Sequence, residues 1–167
     1  MTISESGMTF GPYDESKVYH LEVSNLYREI NNAKTVEFLL CIRPNELSFI
    51  EAKSSSPKPE PKNNVDFENF ISEIRDKFLH SLNLYYSAIL KRHKENNDIP
   101  PAFSDLDNEI ISVNLILVIK GHQQDWLPPI SDALSRALIP YASIWHFNIA
   151  VINDLIAMEH GLITATT

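Results

Sequence analysis

Two charged residues end the second of two adjacent apolar runs, in the order Glu51-Ala52-Lys53. Residues two apart on a β-strand project from the same face, so a strand here would present a carboxylate beside an ammonium group. Carboxylate oxygens are ligands for Mg²⁺, and a bound metal lowers the pKa of a water and neutralises phosphate charge. A neighbouring lysine can position that water or stabilise the transition state. The pair therefore indicates phosphodiester hydrolysis with Mg²⁺ or Mn²⁺.

A second carboxylate is needed to hold the metal, and Glu37 is the candidate because it interrupts the preceding apolar run, residues 36–42. A charge inside a buried strand is costly unless it is paired or bound to metal. The prediction depends on the hairpin register. A three-residue loop at 44–46 would place Glu37 opposite Lys53 and diagonal to Glu51. A two-residue turn at Pro44-Asn45 would turn Glu37 to the other face, and a bulge would restore the match.

The apolar pattern predicts the elements that would position these residues. Both strands of the hairpin are almost continuously apolar, which indicates a sheet covered on both faces. The order of elements predicts an α/β sandwich of two or three layers, with an early antiparallel pair and later strands joined by helices. The predicted helices are 24–31, 66–96, 125–144 and 154–160, and the predicted strands are 36–42, 47–52, 110–119 and 147–152.

Particular residues mark the ends of these elements. Ser24 and Asn153 are suited to be the N-caps of the first and last helices, because their side chains can accept a hydrogen bond from a free backbone N–H. Gly161 follows the last helix at the position where a left-handed residue is common. Pro140 is expected to kink or end the helix over 125–144, because proline removes one of its hydrogen bonds.

The totals limit the class of protein. The 167 residues suit a single domain over 1–167, with a proline-rich flexible loop at 54–64 that leaves directly from Lys53. No apolar run approaches the ~20 residues that span a bilayer, and residues 1–10 lack the pattern of a signal peptide. Cys41 is the only cysteine, so no intrachain disulfide forms, and we expect a cytoplasmic protein without a membrane partner. The formal charge of −8 argues against broad non-specific binding to nucleic acid.

At these residues the chain resembles the PD-(D/E)XK nuclease superfamily. Glu37 matches the family's first acid, and Glu51 and Lys53 match its acid-x-lysine pair. The resemblance implies a restriction-endonuclease-like fold, a mixed β-sheet flanked by helices, with Glu37 and Glu51 as metal ligands and Lys53 as the third catalytic residue. Glutamate replaces the usual aspartate at the first acid, and no proline precedes it. Some members add an acid from the first helix, for which Glu22 and Glu29 are candidates.

Two functions follow from the sequence. The first is a metal-dependent nuclease that hydrolyses phosphodiester bonds in nucleic acid, reaching its substrate directly, through a partner protein or as a homodimer. The alternative is a catalytically inactive nuclease-like scaffold that acts as a binding or assembly module. Whether the chain is an enzyme stays open at this point, because Glu51 and Lys53 also fit a salt bridge at the end of a strand.

Overall fold

A computed structural model describes residues 1–28, 30–60, 64–93 and 97–164. The chain is an α/β protein with a mixed five-stranded sheet flanked by helices, which confirms the predicted α/β fold class. The strands are β1 (Ile3–Glu5), β2 (Met8–Phe10), β3 (Val18–Tyr19), β4 (Phe38–Leu40), β5 (Glu46–Lys53), β6 (Ser112–Ile119) and β7 (Phe147–Asn153). The α-helices are α1 (Asn25–Arg28), α2 (Asn64–Ile89), α3 (Pro101–Ser104), α4 (Leu127–Trp145) and α5 (Asp154–Glu159).

The main sheet has the strand order β3-β4-β5-β6-β7, while β1 and β2 form a separate hairpin. The pairs β3–β4 and β4–β5 are antiparallel, and the pairs β5–β6 and β6–β7 are parallel. Parallel neighbours need a crossover connection, and α2 and α4 lie in the two crossovers. The predicted antiparallel pair and the later helix-linked strands are therefore confirmed.

Alternate side chains of β5 enter two different cores. Leu47 and Phe49 pack in a large cluster with apolar residues of α2 and α4. Ile50 and Ala52 point the other way, into a smaller cluster that includes the β1–β2 hairpin and Ala157 of α5. The continuous apolar run of β5 thus has the predicted cause, because helices or the hairpin cover both faces of the strand.

Several boundaries differ from the prediction: α1 covers Asn25–Arg28 instead of 24–31, β6 begins at Ser112 instead of 110, and two further elements are shorter than predicted. The first strand of the central hairpin is limited to β4, because the backbone N–H of Val36 donates to the Ser81 hydroxyl of α2 at 2.8 Å instead of joining the sheet. The long helix α2 ends at Ile89, and Lys91 just beyond it has a left-handed φ of 57°. Residues 94–96 of the predicted helix lie outside the described part of the chain.

Pro140 does not end helix α4, which continues to Trp145. The residue is exposed, so the carbonyl that loses its helical hydrogen bond lies on the side of the helix that water reaches. The loop after Lys53 has no helix or strand over 54–60, and α2 begins at Asn64, while 61–63 of the predicted loop are not described. No helix in the described ranges is both long and apolar enough to cross a membrane.

Both predicted N-caps are confirmed. The Ser24 hydroxyl accepts from the N–H of Tyr27 at 3.1 Å at the start of α1. The Asn153 side chain accepts from the N–H of Ile156 at 2.9 Å at the start of α5. Gly161 follows α5 with a φ of 72°, as the sequence predicts.

Asn153→Ala should lower the free energy of unfolding by about 1–3 kcal/mol. The change removes the cap of α5, and it also leaves the buried carbonyl of His122 without the hydrogen bond that Asn153 donates at 2.9 Å. Urea unfolding measures the difference. Asn108→Ala, at an exposed asparagine of the turn before β6, is the control and should change the value by less than about 0.5 kcal/mol. Equal effects of the two changes would contradict the assignment.

Candidate functional site

Glu51 and Lys53 lie on the face of β5 that α2 covers. They continue the alternation of Leu47 and Phe49, so the predicted shared face is confirmed. The ammonium of Lys53 is 3.5 Å from Oε1 of Glu51. The Glu51 side chain is 0% exposed, whereas that of Lys53 is 24% exposed, so the lysine marks the open side of the cluster.

Glu37 joins the same side of the sheet. In the β4–β5 register Phe38 is opposite Ile50 and Leu40 is opposite Ser48, so one more step places Glu37 beside Glu51. The turn that sets this register is centred on Pro44, at residues 43–45, with Asn45 in a left-handed conformation. The loop considered in the sequence, at 44–46, would have put Glu37 opposite Lys53. The same-face placement therefore holds, but the residue opposite Glu37 is Glu51.

An ammonium from α2 lies between the two carboxylates. Nζ of Lys77 is 2.8 Å from Oε1 of Glu51 and 3.5 Å from Oε1 of Glu37, and it donates to Oε2 of Glu51 at 3.1 Å. The side chains of Lys77 and Glu37 are 12% and 9% exposed. Lys77 thus places a single positive charge against two buried acid side chains.

A fifth charge completes an alternating row. Glu73 lies one helical turn before Lys77 on α2 and accepts from the Lys53 ammonium at 2.8 Å. The order Glu73, Lys53, Glu51, Lys77, Glu37 alternates acid and base from the open side of the cluster to its interior. We call these five residues the charge row.

Burial dominates the electrostatics of the two inner acids. Burial, the neighbouring Glu22 carboxyl and the Glu51 charge raise the pKa of Glu37 to about 8, although Lys77 opposes them. Burial also raises the pKa of Glu51, against the effect of Lys77 and Lys53. At the open end the hydrogen bond from Lys53 lowers the pKa of Glu73. Near neutral pH the inner part of the charge row therefore keeps a proton on Glu37.

One buried oxygen at this position, Oε2 of Glu37, accepts no hydrogen bond from the described residues. Oε1 of Glu51 lies 2.8 Å from the Lys77 ammonium and 3.5 Å from that of Lys53, so two positive charges face it. Mg²⁺ binds through one or two carboxylates while it keeps several waters. Glu37 and Glu51 are the two carboxylates that could hold such a metal, in place of the Lys77 ammonium.

The third acid that the resemblance implies is not provided by the described residues. They contain no group of three or more His, Cys, Asp and Glu side chains that could hold a metal ion. Glu22 is near the site, because its carboxyl neighbours that of Glu37 and its backbone N–H donates to the Glu37 carbonyl at 3.5 Å, but Glu22 is exposed. Glu29, the other candidate, lies outside the described residues.

Sequence reasoning missed Lys77 and Glu73. Both lie in the predicted long helix, and the sequence analysis assigns neither of them a role. A signal was present, because Lys77 directly precedes the buried Phe78 and follows the buried Ile74 by three residues. A lysine between two core positions, beneath a strand that carries a buried glutamate, indicates an ion pair between helix and sheet.

Comparisons with known proteins assign no family to the chain. No protein-family model, no curated protein and no solved structure matches it. The interpretation of the site therefore depends on the geometry of the charge row and on the chemistry of its side chains.

Glu37→Gln should change how stability depends on pH. Between its ordinary pKa of 4.5 and its folded pKa of about 8, Glu37 holds a proton in the folded chain that the unfolded chain releases. Its contribution to stability is therefore complete below pH 4.5 and is lost as the pH rises through 8. Glutamine has no proton to lose. Between pH 5 and about 8.5 the free energy of unfolding of the variant should therefore rise by more than about 1 kcal/mol relative to that of the wild type.

Urea unfolding of both proteins at several pH values from 5 to about 9 measures this gain. Glu109→Gln, at an exposed glutamate far along the chain from the charge row, should keep the pH dependence of the wild type. Parallel curves for wild type and Glu37→Gln would show that the carboxyl is not protonated in the folded state.

Proposed function

We propose that the chain is a metal-dependent nuclease that hydrolyses phosphodiester bonds in nucleic acid, with Glu37, Glu51 and Lys53 as its site. The observation that supports this most is the meeting of Glu37 and Glu51 around one ammonium, with Lys53 3.5 Å from Glu51 on the open side. Two carboxylates and a lysine in this order along adjacent strands are the set that phosphodiester hydrolysis needs.

Each residue has a role that its position suggests. Glu37 and Glu51 would hold Mg²⁺ or Mn²⁺, which supplies a water of lowered pKa and neutralises phosphate charge when it is bound. Lys53 is the most exposed of the three and can donate to a phosphate oxygen or to the attacking water. Glu73, which accepts from Lys53, holds that ammonium at the open side of the site.

Lys77 acts as the internal counter-ion of the metal-free protein. A buried pair of carboxylates without a cation would be strongly destabilising, so the Lys77 ammonium keeps Glu37 and Glu51 assembled before any metal arrives. A metal at the same oxygens competes with Lys77 and with the proton on Glu37. Metal affinity should consequently rise with pH.

The coarser features of the chain agree with this proposal. The mixed sheet, with an antiparallel hairpin followed by a helix and a parallel strand, has the element order that the restriction-endonuclease-like fold would need. With a net charge of −8, we expect the chain to reach nucleic acid through a partner protein that carries a basic surface, or as a homodimer, in a cytoplasmic setting.

A catalytically inactive scaffold is the second candidate, and one observation favours it. Every acid of the charge row already has a lysine within 3.5 Å, so the row needs no metal in order to hold α2 on the sheet. In that case the same residues stabilise a binding or assembly module and no turnover occurs.

If the chain is a nuclease, Glu51→Gln and Lys53→Met should each reduce its metal-dependent cleavage of DNA or RNA by at least about 100-fold. Glutamine keeps the shape of Glu51 but loses its negative charge, and methionine keeps the length of Lys53 but not its ammonium. The assay offers single- and double-stranded DNA and RNA with Mg²⁺ or Mn²⁺. Glu109→Gln is the matched control and should retain full activity, while cleavage that survives both site variants would refute the assigned roles.

Lys77→Met separates the two candidates without an activity assay. Removing the ammonium leaves buried Glu51 without its closest partner, which should cost about 3–5 kcal/mol. If Glu37 and Glu51 bind metal, millimolar Mg²⁺ or Mn²⁺ should raise the melting temperature of Lys77→Met more than that of the wild type, because no lysine competes.

The double variant Glu51→Gln/Lys77→Met is the control for this comparison, because it loses the carboxylate as well as the lysine. It should show no response to the metal. A flat melting temperature in wild type and in Lys77→Met at every metal concentration would favour the scaffold instead.

A further inference from the structure

Strand β7 is the outer strand of the main sheet. It pairs with β6 on one side, and none of the described residues pairs with its other side. An edge strand of this kind presents a row of unpaired N–H and C=O groups that can accept another strand. Proteins usually protect such edges with prolines, charged side chains or short length. β7 has none of these, because its sequence is FNIAVIN over seven residues.

The segment around β7 is also free of charge. Residues 137–153 contain no Asp, Glu, Lys or Arg, and no other part of the chain is as long without one. The segment covers the last turns of α4 and all of β7. Apolar side chains are exposed in these turns, with Ile139 57% and Ile144 67% exposed. A neutral, apolar surface thus leads directly into an unprotected strand edge.

We propose that a second copy of this chain binds here, with the two β7 strands paired antiparallel about a two-fold axis. An isologous contact places the same segment on both sides, and an antiparallel pair of identical strands satisfies that symmetry. The sheet then continues from one protomer into its partner, and exposed Ile144, in the last turn of α4, directly precedes the paired strand in each protomer.

Charge argues for a second copy as the occupant. The chain carries a net charge of −8, so two copies that approach through most of their surface repel each other. The segment 137–153 adds no charge of its own, which lets identical acidic chains meet there without placing like charges in contact. A strongly basic partner would instead be expected to meet an acidic surface. This inference does not depend on the nuclease proposal.

Sedimentation equilibrium of the full chain tests the inference. At tens of micromolar the mass should be twice the 19.0 kDa of one chain. The double variant Ile144→Lys/Asn148→Lys adds two charges to exposed positions of the segment and should raise the dimer dissociation constant at least about tenfold. Val65→Lys changes a similarly exposed residue, 69% against 67%, on α2 and should leave the dimer intact.

Hydrogen exchange identifies the paired strand. The amides of β7 that point away from β6 should exchange slowly in the dimer and at least about tenfold faster in the double variant. A chain that stays monomeric at this concentration would overturn the proposal. A dimer that the double variant retains with unchanged β7 protection, or that Val65→Lys disrupts equally, would also overturn it. Circular dichroism spectra matching the wild type establish that the variants are folded.

Discussion

The burial of one negative charge sets the constraints on the rest of the structure. Glu51 follows Leu47 and Phe49 on the face of β5 that enters the large core, and its side chain has no exposed surface. A lone buried carboxylate would take up a proton or unfold the chain, because the cost of its desolvation exceeds most single interactions. Lys77 lowers that cost from 2.8 Å away, and Lys53 adds a second positive charge at 3.5 Å. The position of Lys77 is thus what allows a glutamate to be buried at this point of the fold.

The rotation of helix α2 about its own axis determines where Lys77 points. Ile74 and Phe78 enter the core on either side of Lys77, so the packing that buries them also aims the ammonium at β5. Ser81, one turn later, accepts from the Val36 N–H and donates to the Lys77 carbonyl. The same turn of helix therefore holds both the counter-ion and the segment that leads into Glu37. Packing and site geometry have a single origin here.

The sequence predicts the parts of the site that depend on local geometry. Glu51 and Lys53 share a face because strand side chains alternate, and no long-range information is needed for that. The face on which Glu37 lies depends on the turn at Arg43 to Glu46, and these residues are compatible with a loop of two or of three residues. Only the register in the structure shows that the residue opposite Glu37 is Glu51. Lys77 required the rotation of α2 on the sheet. The strands β1 and β3 and the helix α3 have only two to four residues each, too few to leave a periodic pattern.

The cost of the charge row is itself an argument about function. A buried ion pair seldom stabilises a protein more than two apolar side chains of the same volume do. Leucine at both Glu51 and Lys77 would fit the apolar surroundings of β5 and α2 and would need no matching of charges. Stability alone therefore gives no reason to bury Glu51 beneath a helix, beside a second acid, Glu37, whose Oε2 accepts no hydrogen bond from the described residues. A site that must hold a cation gives that reason, and it is why we place the proposed chemistry here.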